Sequence, residues 1–254
     1  MTNTEYILDF AVRLGARMLT AGANLERVND TIYRVCCSYQ LHDISLFSLS
    51  TSLVLSAVDA EGTCATRQIS IPSVGIHLSR LNSYNQLART ICNETPEPRD
   101  LRGLLEEGER VEDYPEWLVL MGDILALGCI CYMFGGSAKD IVWVAISTTI
   151  MFYILKALSL PSLNRVIKDA VCMFAAGFLA KLAVRYGLGE NYYTIILTNA
   201  FLLIPGIPMV NSVRNILCGN ELNGTVELMK VVLETAAIVV GLVIAIYLGE
   251  VLGL

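Results

Sequence analysis

Pro205, Gly206 and Pro208 stand close together within a long apolar stretch, with Asn199 before them and Asn211 after them. Proline has no amide donor and clashes with the preceding helical turn, while glycine lets the backbone bend or unwind. A regular helix is therefore interrupted here. The two asparagine side chains each offer a donor and an acceptor beside the interruption. This pattern predicts a binding position for a polar solute in apolar surroundings.

The backbone carbonyls near Phe201 and Ile204 lose their usual partners at the same interruption. Inside a bilayer, such carbonyls are tolerated where they line a cavity or where neighbouring groups satisfy them. Interrupted helices form substrate and ion sites in many secondary transporters. An ordinary helix kink is the alternative interpretation.

Charged side chains deep in the apolar half of the chain are the second group of candidates. Asp123, Lys181 and Glu234 would each be unfavourable against lipid, so we expect them to face the helix bundle or a water-filled cavity. They are candidates for a proton or substrate pathway, with a structural ion pair as the alternative. Lys156 and Asp169 lie nearer to the ends of apolar stretches, where snorkelling or a cytoplasmic salt bridge accounts for them.

Five apolar stretches hold these residues. Each has close to the roughly 20 residues that a hydrocarbon core requires. The predicted architecture is an N-terminal α+β cytoplasmic domain followed by an all-α membrane bundle of five transmembrane helices. The stretches cover residues 117–136, 141–158, 167–186, 192–213 and 226–249.

Basic residues in the short loops predict the orientation, because lysine and arginine are enriched on the cytoplasmic side. The N-terminal region adds 10 arginines to that side. It also lacks the apolar core of a signal peptide. We therefore predict a multi-pass protein of the cell membrane with a cytoplasmic N-terminus and its C-terminus outside.

Residues 1–98 are patterned as a small α+β domain. Apolar residues recur at helical spacing, alternate as in strands between Ile44 and Ile71, and then return to helical spacing. Asn24 is expected to cap the second helix, and residues 59–62 have the composition of a turn.

Residues 99–116 connect this domain to the predicted transmembrane domain at 117–254. We predict a solvated connecting helix, with a regulatory element as the alternative. The segment is charged and has four apolar residues on what could be one helical face, Leu101, Leu104, Leu105 and Val111.

The last apolar stretch carries a row of small residues. They stand four apart, which predicts a face where another helix packs closely, either in this chain or in another subunit. The row consists of Ala237, Gly241, Ala245 and Gly249.

Composition excludes several classes of function. The net charge of -6 arises in the N-terminal region, which argues against nucleic-acid binding. The 8 cysteines include no C-x-x-C pair and no histidine lies at zinc-ligand spacing, so no metal or cofactor is predicted. His42 and His77 cannot be placed beside a nucleophile from sequence, so no catalytic set is predicted. A phosphate-binding loop for ATP is also missing.

An N-terminal motif completes the set of candidate residues, with Gly22, Arg27, Val28 and Thr31 as its members. It resembles the signature that opens the cytoplasmic domain of the threonine/serine exporter family. The proline run at 205–208, with the asparagine that follows, resembles the proline break of the same family. Both motifs occur in the family's order.

The resemblance implies secondary export of a small polar metabolite, driven by the proton gradient, with Asp123 or Glu234 binding and releasing the proton. Fused members of the family continue into a second membrane half, whereas this sequence ends at Leu254. The chain therefore resembles the larger subunit of the split form. Its smaller membrane partner would have about 150 residues, enough for four or five further spans. A hetero- or homo-oligomer in the lipid bilayer is expected.

Two functional hypotheses follow. In the first, the chain exports threonine and serine, or succinate-like dicarboxylates, along a route at the proline break. In the second, it is a membrane-anchored enzyme or sensor whose spans serve only as an anchor. Changes at Pro205, Asn211 or Glu234 should abolish the first function, and changes at His77 or Cys64 the second.

Overall fold

The computed structural model describes residues 2–71, 75–110, 114–158 and 163–253. These residues form ten helices and one three-stranded sheet. Two compact units are present, Met1–Asp113 and Tyr114–Leu254, and each has its own hydrophobic core.

The first unit is built around a buried N-terminal helix and an antiparallel sheet. In chain order its elements are α1 (Asn3–Thr20), α2 (Leu25–Ser38), β1 (His42–Leu49), β2 (Ser52–Val58), β3 (Cys64–Ser70), α3 (Leu78–Glu94) and α4 (Leu101–Gly108). The central strand β2 pairs with both neighbours, and Leu53, Leu55 and Ala57 point into the core. The predicted alternation between Ile44 and Ile71 is thus confirmed as three strands.

Local side-chain contacts fix the ends of these elements. Asn24 caps α2, as predicted, by accepting a hydrogen bond from the Glu26 amide at 3.4 Å. Asp59 accepts bonds from the amides of Glu61 and Thr63 at 3.0 and 2.8 Å, which closes the predicted turn between β2 and β3.

Helix α4 belongs to the core of the first unit. Leu101 and Leu105 are each 1% exposed, and the Ser83 hydroxyl donates to the Gly108 carbonyl at 2.7 Å. This helix is therefore not a solvated connection, because its apolar face is covered by the domain that precedes it. Val111, expected on the same face, lies outside the described residues.

The second unit is entirely helical in its described part. Its elements are α5 (Glu116–Met133), α6 (Ala138–Ala157), α7 (Arg165–Arg185), α8 (Tyr192–Leu203), α9 (Gly206–Leu217) and α10 (Glu221–Val251). Helices α5, α6 and α10 are each long and apolar enough to cross a membrane, and the bent pair α8–α9 is a fourth candidate span. Helix α7 has the length but carries five charged residues, so the five-span prediction is confirmed only in part.

Small residues bring α7 and α10 into close contact. A side chain at Gly241 would overlap the backbone of Ala170, and a Cβ at Gly177 would lie 3.0 Å from the Ala245 Cβ. The predicted row of small residues on α10 therefore packs against a helix of this same chain. Lys156 of α6 pairs with Glu116 of α5.

Candidate functional site

The proline break is present and divides one candidate span into two short helices. Helix α8 ends at Leu203, α9 begins at Gly206, and the two are bent by 58°. The Gly206 amide turns back to the Ile204 carbonyl at 2.8 Å. That carbonyl was expected to be free, and it is satisfied by this tight turn.

Two other carbonyls lose their helical donors at the break. In a continuous helix, the carbonyls of Phe201 and Leu202 would accept bonds from residues 205 and 206. Pro205 has no amide hydrogen, and the Gly206 amide is used elsewhere. The C-terminal end of α8 thus presents backbone acceptors without their usual partners.

The two halves also have different neighbours. Helix α8 packs against α5, α6 and α7, whereas α9 packs against α10. Asn199 lies on α8 and Asn211 on α9, and no hydrogen bond joins the two within the described ranges. The break therefore separates two packing environments instead of only bending one helix.

Asn199 is the most informative residue at the break. Its side chain is fully buried, and its Oδ1 accepts a hydrogen bond from the Ser147 hydroxyl of α6 at 2.9 Å. Its Nδ2 has no partner among the described residues. A buried unpaired amide costs roughly 1–3 kcal/mol, so such groups are rare unless a ligand or water satisfies them.

Two threonines, each adjacent in sequence to Ser147 or Asn199, also have buried hydroxyls without a partner among the described residues. Thr198 and Thr148 are each 0% exposed, and neither hydroxyl oxygen has a partner in the part of the chain that the structure describes. Helices α6 and α8 thus carry unused hydrogen-bonding capacity, which we call the Asn199 cluster: Ser147, Thr148, Thr198 and Asn199. Sequence inspection missed the α6 members, because serine and threonine are common in membrane helices.

Two carboxylates of the second unit share one arginine. Arg165 Nε lies 3.6 Å from Asp169 Oδ2 and 3.8 Å from Glu234 Oε2, joining α7 to α10. Asp169 is 2% exposed, and its Oδ2 accepts no hydrogen bond from the described residues. The group carries two negative charges against one positive charge. Glu234 was predicted as a pathway residue, whereas Asp169 was assigned only a salt bridge.

The other predicted charged residues lie apart from this group. Lys181 Nζ donates to the Ile246 carbonyl of α10 at 2.8 Å, in space left by Gly249. Asp123 is half-buried on α5 and forms no ion pair or hydrogen bond with a described residue. Roles for both in a pathway stay predictions.

A second buried carboxylate was not predicted at all. Asp140, at the start of α6, is 1% exposed. Its Oδ1 accepts bonds from the amides of Glu190 and Asn191 at 2.7 and 3.1 Å, and its Oδ2 accepts two more from Ser137 at 3.0 Å. These bonds tie the loop before α8 to the start of α6.

The N-terminal motif has a packing explanation at two of its positions. Gly22 has a φ of 92°, and a Cβ there would lie 2.9 Å from the Gly75 carbonyl oxygen. Val28 is fully buried in the core. Arg27 is exposed and Thr31 is half-buried on α2, where the Thr31 hydroxyl donates to the Arg27 carbonyl at 2.8 Å.

The residues of the enzyme hypothesis are dispersed. His77 precedes α3 without a side-chain capping bond, and His42 begins β1. Cys64 is exposed, with the Ser56 hydroxyl 3.6 Å away. Burial raises the pKa of the Cys36 thiol to about 12, which suppresses its reactivity. Within the described ranges, no cluster of three potential metal ligands occurs.

Residues 9–249 match the model of the threonine/serine exporter family. The chain belongs to this family. The match confirms the resemblance based on the N-terminal motif and the proline run. Family membership and the apolar helices together establish a multi-pass membrane protein, and a family of exporters favours transport over the enzyme hypothesis.

Three relatives show the range of proteins to which the chain is similar. A Probable threonine/serine exporter of Mycobacterium tuberculosis is 26% identical over 251 residues, 96% of this chain and 46% of that protein. The Threonine/serine exporter of Corynebacterium glutamicum is 22% identical over 256 residues, 97% of this chain and 52% of that protein. The Probable succinate transporter subunit YjjP of Escherichia coli is 23% identical over 238 residues, 92% of this chain and 91% of that protein.

The chain therefore spans about half the length of the two threonine/serine exporters and most of the length of YjjP. No solved structure matches it.

Proposed function

We propose that this chain is the larger subunit of a split, proton-coupled exporter of a small polar metabolite. The observation that carries the proposal is Asn199, whose buried amide nitrogen has no partner among the described residues, directly before a broken helix. An amide donor, nearby hydroxyls and backbone acceptors together suit a solute with both donor and acceptor groups.

The charges around the break favour a zwitterionic amino acid. An ammonium group can bind the unpaired carbonyls of Phe201 and Leu202 at the negative end of α8, and a carboxylate can bind the Asn199 amide. A dicarboxylate would need a cation, and Lys181 instead bonds to the Ile246 carbonyl. Threonine and serine are therefore the first candidates.

Succinate-like dicarboxylates are the second candidate. The observation that favours them is the match to YjjP, which is named a succinate transporter subunit and is covered almost end to end. The same name supports a partner subunit for this chain. We propose a smaller membrane protein of about 150 residues, which would supply the further spans.

Proton coupling is assigned to the group formed by Asp169, Arg165 and Glu234. Two carboxylates that share one guanidinium carry a net charge of −1 when both are ionised, and one bound proton makes the group neutral. Binding and releasing this proton would change how α7 and α10 hold together.

The membrane arrangement is part of the proposal. Helix α7 is taken as the fifth span, because Asp169 pairs with Arg165 and Lys181 bonds to a carbonyl, which lowers the penalty for both charges. The N-terminal unit lies in the cytoplasm and the C-terminus outside.

The test is efflux of preloaded, labelled threonine, serine and succinate from cells that express this chain with and without its membrane partner. Efflux that requires both chains and stops when the proton gradient is dissipated supports the proposal and selects the substrate. Efflux that survives dissipation rejects proton coupling. Failure to export any of the three, with both chains verified in the membrane, rejects the proposed substrate classes.

A further inference from the structure

The N-terminal unit has a groove between α2 and α3 that the transport proposal does not use. Its volume is about 280 Å³. Pockets for drug-sized ligands and cofactors run from roughly 300 to 1,000 Å³, so this groove suits a compact molecule. It is lined by Arg27, Asp30, Thr31, Arg34, Asn85, Ala88, Arg89, Cys92 and Asn93.

Positive charge is concentrated in this groove. Arg34 is neutralised by Asp30, with nitrogen to oxygen distances of 2.9 and 3.1 Å. Arg27 and Arg89 form no ion pair or hydrogen bond through their guanidinium groups with any described residue. The groove therefore holds two uncompensated positive charges.

Other arginines of this unit are neutralised by acidic residues. Acidic residues outnumber arginines here, and five arginines form ion pairs with them, Arg13, Arg17, Arg34, Arg67 and Arg102. Arg27 and Arg89 differ from these five in having no ion pair with a described residue. An arginine fork matches the geometry of a carboxylate or a phosphate group.

Two neutral groups of the groove already use their donors. The Asn85 amide donates to the Leu81 carbonyl at 2.7 Å, and the Thr31 hydroxyl donates to the Arg27 carbonyl at 2.8 Å. Arg27 and Arg89 are thus the main donors left for a ligand, and both are cationic.

We propose that this groove binds a compact small-molecule dianion, with Arg27 and Arg89 as its two cationic contacts. Two sources share this chemistry: inorganic phosphate or a phosphate ester, and a dicarboxylate such as succinate. Binding would give the N-terminal unit a ligand of its own. This inference goes beyond the proposed transport function and does not depend on it.

Cys92 provides the readout because it lines the groove. The full chain, purified in detergent, is alkylated with N-ethylmaleimide at alkaline pH, since burial raises the pKa of the Cys92 thiol. Peptide mass spectrometry follows the rate at each cysteine in phosphate, in succinate, and in chloride at matched ionic strength. Cys37 is the internal control, being exposed on α2 and outside the groove lining.

The expected result is slower alkylation of Cys92 and an unchanged rate at Cys37. A dianion at ten times its Kd should slow Cys92 about tenfold, because only unbound protein reacts. Protection by phosphate alone or by succinate alone identifies the source. Arg27→Gln and Arg89→Gln should each remove the protection, whereas Arg99→Gln, an exposed arginine outside the lining, should keep it.

Three results would overturn the proposal. The first is Cys92 alkylation that is as slow in chloride as in phosphate or succinate. The second is protection of Cys92 that persists in both Arg27→Gln and Arg89→Gln. The third is no protection of Cys92 by either dianion. If Cys92 does not react under any condition, the thermal unfolding midpoint decides. The dianion should raise the midpoint of the natural chain and of Arg99→Gln but not of Arg89→Gln, and the absence of that difference overturns the proposal as well.

Discussion

Asp140 and Asp169 are two almost fully buried carboxylates near the starts of neighbouring helices, yet their surroundings are opposite. Asp140 accepts four hydrogen bonds, three from backbone amides and one from the Ser137 hydroxyl. Asp169 has one oxygen that accepts no hydrogen bond from the part of the chain that the structure describes, and it shares a guanidinium with Glu234. Equal burial therefore does not mean an equal role.

The difference separates structural from functional polar groups. A saturated carboxylate has nothing left to bind, and losing it leaves several buried amides unpaired. An unsaturated carboxylate contributes less to the fold, and a proton or another ligand can complete it. The Asn199 cluster belongs to the second kind, although its groups are uncharged.

The largest effect on folding is expected from Asp140→Ala. Removing the acceptor leaves the amides of Glu190 and Asn191 without partners, and bonds to a charged group are worth about 1.5–3 kcal/mol each. The free energy of unfolding should fall by about 3 kcal/mol or more. Chemical unfolding in detergent measures it.

Asp140→Asn is the matched control. It keeps one carbonyl oxygen for the loop amides, so its loss of stability should be smaller than that of the alanine variant. Equal stability of Asp140→Ala and the natural chain would break the distinction between the two carboxylates.

Asp169→Asn should act on transport instead of on folding. One remaining carboxylate, Glu234, would then pair with Arg165 one to one, and the group would have no reason to take up a proton at neutral pH. We expect gradient-driven efflux to fall at least about tenfold, equivalent to about 1.4 kcal/mol, and its pH dependence to flatten. The measurement is efflux at several external pH values.

Glu234→Gln should reproduce this phenotype, because either carboxylate completes the pair. Asp123→Asn, which changes a carboxylate outside the group, should retain the pH dependence. If Asp123→Asn flattens the pH dependence of efflux and Asp169→Asn does not, the residue that couples efflux to protons is Asp123 on α5.

Asn199→Leu extends the comparison to an uncharged group. Replacing an unpaired buried amide by an apolar side chain of similar size should leave the unfolding free energy within about 1 kcal/mol, or raise it. Substrate efflux should nevertheless be lost. Thr149→Val is the control, since the Thr149 hydroxyl only donates to the Ala145 carbonyl in its own helix. Normal efflux by Asn199→Leu would remove the residue from the route.

The smallest effect concerns Asp59, a saturated carboxylate at an exposed turn. A hydrogen bond from Thr4 and amide bonds from the turn hold the pKa of Asp59 below its usual range. Its stabilising contribution is therefore present above the unfolded-state pKa and is lost as the pH falls through the lower folded-state pKa. Asp59→Asn should reduce the acid sensitivity of unfolding, measured as the difference between neutral pH and mildly acid pH. An unchanged difference would show that the turn bonds do not favour the ionised form.

Sequence patterns predicted those features that depend on neighbours along the chain. The alternation of Leu53, Leu55 and Ala57 predicted β2, and Pro205 with Gly206 predicted the break. These patterns follow directly from backbone geometry, so no knowledge of tertiary contacts was needed.

Features set by contacts across the fold were beyond the reach of such patterns. Asp169 and Glu234 lie far apart in sequence, and their meeting depends on how Gly241 seats α10 against Ala170. Likewise, the sequence around Leu105 predicts the apolar face of a solvated helix, because the residues that bury Leu105 are distant in sequence. An apolar helix face predicts that another element covers it, but the pattern does not identify that element.

The break at Ile204 and Pro205 divides one candidate span into two shorter helices, α8 and α9. Each half has 12 residues and is about 18 Å long, too short to cross a hydrocarbon core of roughly 30 Å alone. Helix α8 packs against α5, α6 and α7, and helix α9 packs against α10. A rotation of about 10° at the joint would swing the far end of α9 by about 3 Å at that length. That distance is comparable to the width of one water molecule, so a movement of α10 that carried α9 with it would change the space at the far end of α9 by about one molecule.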